Sequence, residues 1–370
     1  MATVSTSLLI PSPSPSSLSK TKTKTKSHHA FYSSSPPIFQ KNPFLHHFHS
    51  CRFLSISSQF PVGGLSSSSV VRAQASVAER QPTLPPYNVL ITGSSKGMGY
   101  ALAKEFLKAS DNVVICSRSA ERVESAVQSL REEFGEQHVW GTKCDVREGQ
   151  DVKNLVAFAQ RNLGHVDIWI NNAGSNAYSY KPLAEASDED LIEVVTTNTL
   201  GLMICCREAI KMMLNQPRGG HIFNIDGAGS DGRPTPRFAA YGATKRSVVH
   251  LTKSLQGTCS RTFFNPVIAR LFILQAELRM QDVKNVVVHN LSPGMVTTDL
   301  LMSGATTKQA KFFINVLAEP AEVVAEYLVP NIRSIMANGS MKPTYIRFLT
   351  GLKAYTQIFS EMKLGSLDRK

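Results

Sequence analysis

From Tyr87 onward, short apolar runs rich in β-branched residues alternate with longer stretches of helical period. The strand-like runs are YNVLITG (87–93), NVVICSR (112–118), HVWGTKCDV (138–146), VDIWINNAG (166–174), HIFNIDG (221–227) and NVVVHNLSPG (285–294). Between them lie amphipathic patterns such as MGYALAKEFLKA (98–109) and a long run over 186–214. Strands that alternate with helices predict an α/β domain with a parallel sheet. The runs are almost continuously apolar rather than alternating, which predicts strands buried on both faces. Right-handed crossovers then give one doubly wound sheet with helices on both sides. No internal repeat is visible.

The first 78 residues do not share this pattern. They contain 20 Ser, seven Lys or Arg and no Asp or Glu; the first acid is Glu79. A long basic, Ser-rich, acid-poor N-terminus without a compact apolar core predicts an organelle transit peptide, here a chloroplast address. The domain is therefore expected over 79–338, with 339–370 as a C-terminal extension. The leader also accounts for much of the net charge of +12, because the remainder carries 33 basic and 28 acidic residues. The case for a nucleic-acid partner fades accordingly. The six Cys show no CxxC or paired zinc spacing, HHFH (46–49) lies within the leader, and no metal site is expected. No window of 18 apolar residues predicts a membrane span.

ITGSSKGMGYA links the first strand to the first helix and carries Gly93, Gly97 and Gly99. In a strand–turn–helix context, such glycines let backbone amides approach a pyrophosphate at a helix N-terminus, the mark of a Rossmann-type dinucleotide site. Ser95, Lys96 and Met98 complete the loop. The second strand ends in Ser117 and Arg118, where an NAD-selective site places an acid. Arg118 with Lys96 suits a 2′-phosphate, so NADPH is the expected cofactor. Asp145 and Val146 end the third strand, where the acid is expected to meet the adenine. Asn172, Ala173 and Gly174 end the fourth, where small residues admit a cofactor close to the backbone.

Tyr241 and Lys245 are four apart on a predicted helix and so share a face. A nearby ammonium lowers a phenol's pKa, and such a tyrosine can protonate an alkoxide as hydride reaches a carbonyl. TGSSKGMG, NNAG, YGATK and SPGMVTTD together resemble the short-chain dehydrogenase/reductase family over about residues 86–338. The resemblance implies a nicotinamide-dependent, commonly oligomeric oxidoreductase. It also implies that Asn198 supports the proton relay, Tyr241 is the acid/base with Lys245 its partner, and Pro293, Gly294 and Thr298 contact the nicotinamide carboxamide. The family serine usually stands 13 residues before the tyrosine, and position 228 is Ala. Ser230, 11 before Tyr241, is the remaining candidate hydroxyl, given a short loop shift.

NIDGAGS…YGATK and the C-terminal third further resemble the plant chlorophyll(ide) b reductases within that family. This implies reduction of the formyl group of chlorophyll(ide) b with NADPH, on the stromal side of the thylakoid. It also implies a complex with a membrane-spanning relative and the light-harvesting antenna. Another plastid carbonyl reductase, such as a 3-oxoacyl carrier-protein reductase, and a non-catalytic NADPH-binding partner remain alternatives. AKFFINVLAEP (310–320) is either a substrate lid or a core helix, and 347–362 either a docking segment or packing. One stretch departs from the family pattern. GTCSRTFFNPVIARLFILQ (257–275) interrupts a helix in which Leu255 and Leu278 would otherwise stand at i and i+4, and Pro266 cannot continue that helix. It reads as an in-frame insertion, a retained intron or gene-model artefact in preference to a functional loop.

Overall fold

In the computed structural model, the described residues are 83–177, 181–256, 276–302, 308–350 and Thr356. The leader and the 257–275 stretch lie outside them. The expected alternation is present: β1 (Asn88–Thr92), α1 (Gly97–Lys108), β2 (Asn112–Ser117), α2 (Ala120–Phe134), β3 (Val139–Lys143), α3 (Gly149–Leu163) and β4 (Ile168–Asn171). Then come α4 (Asp188–Val195), α5 (Leu202–Leu214), β5 (Gly220–Ile225), α6 (Ala239–Gln256) and β6 (Val286–Ser292). A two-stranded ribbon, β7 (Met295–Val296) with β8 (Ala318–Glu319), brackets α7 (Lys308–Leu317); α8 (Ala321–Ala337) and β9 (Tyr345–Arg347) follow.

The main sheet runs β3-β2-β1-β4-β5-β6-β9, all parallel. Successive side chains of a strand point to opposite faces, and both faces are covered. Val89, Ile91, Val113, Ile115, Ile168 and Ile170 pack under α1, α2 and α8. Leu90, Val114, Cys116, Trp169, Ile222 and Val288 pack under α3, α5 and α6. This is the physical reason why the strands read as continuous apolar runs. The strand order reverses between β1 and β4, and that switch point leaves a crevice at their carboxyl ends.

Two departures from the pattern matter for the site. The run over 186–214 is not one α-helix. A π-helical stretch, Thr196–Gly201, separates α4 from α5 and carries Asn198. The seventh strand, Tyr345–Arg347, comes from the stretch that the pattern sets apart as an extension, and it pairs with β6 through Asn290–Ser292. Three residues are too few for a periodic signal.

α6 is held on the sheet by a polar ladder. Asn171, Asn224 and Asn290 stand in register on β4, β5 and β6. Asn171 donates to Asn224 Oδ1 (2.8 Å), Asn224 donates to Thr252 Oγ1 of α6 (3.0 Å), and Thr252 bonds Asn290 Oδ1 (2.9 Å). Buried amides need partners, so the ladder sets the register of α6 and with it Tyr241 and Lys245.

Candidate active site

The first half of the crevice is a backbone cradle. Gly93 has φ +63, and a Cβ there would lie 2.7 Å from Ala173 Cα. A Cβ on Gly99 would lie 2.4 Å from Asn172 Nδ2 and 2.6 Å from Gly93 O. Only glycine lets β1, α1 and the end of β4 come this close. Asn172 donates to the carbonyls of Thr92 (2.9 Å) and Gly93 (2.8 Å), while Thr92 Oγ1 accepts from the backbone N–H of Asn172 and Ala173, both at 3.1 Å. No side chain caps α1 at Lys96, so its first N–H groups remain for an anion. Thr298 closes over the loop, 3.5 Å from where a Gly97 Cβ would be. Pro293 is buried, and Gly294 has φ +76. These features fit a nicotinamide dinucleotide.

At the outer end, Ser117 Oγ donates to Ser119 O (3.3 Å), and the residue after β2 is Arg118 rather than an acid. Arg118 pairs with Glu193 at 2.7 Å and Lys96 with Asp299 at 2.6 Å; both cations are largely exposed. Arg122, beside Ser95, Lys96 and Gly97 in one surface groove, is a third cation that the sequence pattern does not single out. Asp145 does not present a free carboxylate. Arg147 holds it through Nε at 3.0 Å to each oxygen and Nη2 at 2.6 Å, which helps keep its pKa below the usual range although burial opposes that. Arg147 also pairs with Glu193. Val146 is buried against Gly201 of the π-helical turn.

The inner half gathers Tyr241, Lys245 and Asn198. Lys245 is buried, donates to Ile225 O (3.2 Å) and lies 5.6 Å from the centre of the Tyr241 ring. Loss of water brings its pKa down to about 8, against a small upward pull from Asp226. The same desolvation pushes the Tyr241 phenol well up, with Asp226 adding to it, although part of the ring remains accessible. Asn198 Oδ1 accepts from Ser175 N (2.7 Å), and its amide donates to Ser175 O (2.8 Å) and Thr244 Oγ1 (3.1 Å). The Thr244 hydroxyl in turn donates to Tyr241 O (2.7 Å). The π-helical turn, the end of β4 and α6 are thus joined by one side chain. A Cβ on Gly174 would sit 3.5 Å from Asn198 Oδ1 and 3.8 Å from Lys245 Nζ.

The serine question resolves differently from the spacing. Ala228 is exposed. Position 227 opposes the phenol instead: a Cβ on Gly227 would lie 2.6 Å from Tyr241 Oη. Ser230, expected to reach a substrate carbonyl, is buried and faces the Asp226 carboxylate, and its own carbonyl is held by Arg246 at 2.8 Å. Asp226 and Tyr345 are the residues that motif spacing misses. Among the described residues there is no metal-ligating cluster and no helix long and apolar enough to cross a membrane. In α7, Ile314 is buried and Phe312 is 43% exposed, and β8 ties that helix to β7 beside Gly294. Most of 347–362 lies outside the described residues.

A family model described as short chain dehydrogenase matches residues 87–263. The chain is 78% identical over 300 residues to chlorophyll(ide) b reductase NOL, chloroplastic, of Arabidopsis thaliana, covering 81% of this chain and 80% of that one. It is 74% identical over 305 residues to the protein of the same name in Oryza sativa subsp. japonica, covering 81% and 83%. Among solved structures it is similar to an actinorhodin polyketide ketoreductase with NADPH, at 25% identity and TM-score 0.57, covering 72% of this chain and 97% of that one. The fold also matches a 3-ketoacyl-(acyl-carrier-protein) reductase from Brucella melitensis complexed with NADH, at 23% identity and TM-score 0.57, covering 73% and 100%.

Proposed function

The chain belongs to the short chain dehydrogenase family, and from that premise we propose that it reduces the formyl group of chlorophyll(ide) b to hydroxymethyl with NADPH, in the chloroplast. The observation that carries this is the 78% identity across four-fifths of both chains, joined to a site that can perform the chemistry. When bound, the nicotinamide supplies hydride to the formyl carbon. Tyr241 gives its proton to the formyl oxygen as that hydride arrives, completing the alcohol. Lys245, at about 8, is matched near neutrality to return a proton to the phenol. Asn198 keeps the end of β4 and α6 in register so that the phenol stays aimed. Neither position 227 nor position 228 carries a side-chain hydroxyl, and the backbone amides of 227–229 are the remaining donors for the carbonyl oxygen. Losing one such donor costs about 10²–10³ in rate without abolishing turnover.

The preference for NADPH rests on Arg118, and not an acid, as the residue that follows β2, and on Lys96 and Arg122 in one surface groove, which Glu121 also lines. Peripheral placement at the thylakoid surface and a complex with a longer relative complete this reading. A rice relative, probable chlorophyll(ide) b reductase, is 41% identical over 293 residues, and this chain spans about half of its length.

The test is reduction of chlorophyllide b by the full chain and by a version lacking 257–275, with NADPH or NADH, followed by absorbance and chromatography. The expected outcome is the hydroxymethyl product, faster with NADPH, and loss of at least about 10³-fold in rate in Tyr241→Phe. A Tyr241→Phe enzyme as active as the parent would overturn the role of Tyr241 as the acid, and no product from the parent with NADPH still bound would favour a cofactor-binding partner role.

A further inference from the structure

The last residue before the active-site loop is an acid, and the structure gives it an environment of its own. Asp226 follows β5, is 2% exposed, and is anchored by its N–H to Leu291 O at 2.9 Å. Its two neighbours flank the catalytic pair. Ile225 O accepts from Lys245, and Gly227 opposes the Tyr241 hydroxyl. Asp226 therefore cannot be far from either. Its own side chain turns toward the end of the sheet. Tyr345 of β9 donates its hydroxyl to Oδ2, and the hydroxyls of Ser292, at the end of β6, and Ser230, in the following loop, face the same carboxyl group. Oδ1 is buried and makes no hydrogen bond of normal geometry among the described residues.

The other titratable or charged groups facing it are few. From α6 they are Tyr241 and Lys245. From β9 they are Tyr345 and, behind it, Arg347, whose guanidinium lies 4.0 Å from the Tyr345 ring centre. Tyr345 is pushed up to about 12 by burial and by Asp226, so it stays a neutral donor. Burial raises the Asp226 pKa above the usual carboxylate value, and the hydroxyls of Tyr345, Ser292 and Ser230 oppose that rise in part. When ionised, Asp226 has no salt-bridge partner among the described residues to offset its charge, and that field acts on Tyr241 and Lys245.

We propose that Asp226, held by Tyr345 and Ser230, is a positioning residue that keeps the proton on Tyr241 to higher pH, so that the donor form needed for carbonyl reduction persists. A negative charge next to a phenol opposes phenolate, and the donor form is the one that reduction needs. The same charge supports the ammonium of Lys245. It also gives a reason for an acid to stand at the head of a loop that lacks the family serine. This inference rests on Tyr241 being the acid of the reduction proposed above.

The test compares pH profiles of aldehyde reduction with NADPH and of the reverse alcohol oxidation with NADP⁺, for the full chain, Asp226→Asn, Tyr345→Phe and the double variant. Reduction fails above the pKa of the donor, and oxidation fails below it. Asp226→Asn is expected to move both limbs down by about one pH unit. Tyr345→Phe is expected to move them the same way by less, because it leaves the carboxyl more readily protonated. The double variant should go no further than Asp226→Asn, and Asp226→Glu should restore the limbs. Rates that fall in Asp226→Asn with both limbs unmoved would overturn the inference and leave a structural role. Absence of reduction by the parent chain would count against the proposed reaction alone. In that case, tyrosinate absorbance, taken as parent minus Tyr241→Phe, still reads Asp226: an ionisation unmoved in Asp226→Asn overturns the inference, and one moved down supports it.

Discussion

A lysine that is 6% exposed is costly to the fold that carries it. Lys245 falls from 10.5 to about 8 because water is withdrawn from its ammonium. Between those values the unfolded chain holds a proton that the folded chain has released, so this contribution makes stability rise with pH through that window. Below about 8 the penalty is constant and on the order of 3 kcal/mol. Lys245→Met is therefore expected to abolish reduction while raising the urea midpoint at pH 7. The gain should shrink above about pH 8 and vanish above about pH 10. Urea titrations across that range check it, and a midpoint gain independent of pH would contradict the account. The residue itself was legible from its spacing to Tyr241. Its penalty was not, because burial comes from β5 and β4, which are distant in sequence.

Among the elements, the π-helical turn Thr196–Gly201 decides the most. π-Bulges are rare and gather at functional sites. Here the turn widens the helix where Asn198 reaches both backbone groups of Ser175 and the Thr244 hydroxyl. Asn198→Ala would leave the Ser175 N–H and C=O without those partners, in a buried place. The expected cost is about 2–4 kcal/mol of stability, with kcat reduced about tenfold or more as α6 loses its tie. NADPH affinity should change little, because the cradle at Gly93 and Gly99 is built from other contacts. Denaturation, steady-state kinetics and cofactor fluorescence separate the three. The helical period over 186–214 showed that a helix exists there, but it carried no sign of the change in winding. That depends on what Asn198 bonds.

At the scale of the whole molecule, the far edge of the sheet is sensitive to acid. Thr344 N–H donates to His289 Nδ1 (3.0 Å), so the ring proton lies on Nε2, which faces His221 Nδ1 at 3.0 Å. His289 is fully buried, stacks on Phe223 at 4.4 Å, and has its pKa driven well below 6.5 by burial and by His221. The native state therefore keeps it neutral while the unfolded chain takes up a proton. Stability from this group is complete above about pH 6.5 and is lost as pH falls further, by up to about 1.4 kcal/mol per unit. Protonation at Nδ1 would also release Thr344 and loosen the entry to β9, the strand that brings Tyr345 to Asp226. His289→Gln is expected to flatten the acid side of the stability curve, as measured by urea midpoints between pH 5 and 7. An unchanged slope would refute the assignment.

Much of this protein can be read along the chain because the causes are local. Apolar runs separated by helical period gave the doubly wound sheet, since a strand buried on both faces has no polar side to show. The Gly93–Gly99 loop marked the dinucleotide end, because a tight strand–turn–helix needs those glycines in that order. Tyr241 and Lys245 marked the chemistry, because four residues make one turn. What only the tertiary structure decided depends on segments far apart in sequence. Asp145 is held by Arg147 two residues on, and what fixes Arg147 in turn is Glu193 of α4, 46 residues later. Gly227, and not position 228, faces the phenol, because the loop after β5 carries one residue more than the spacing assumes. Asp226 gains its hydroxyl partner from Tyr345, 119 residues later, on a strand too short to show a period. Spacing can announce which groups are present, but a buried field is made by the groups that packing brings together.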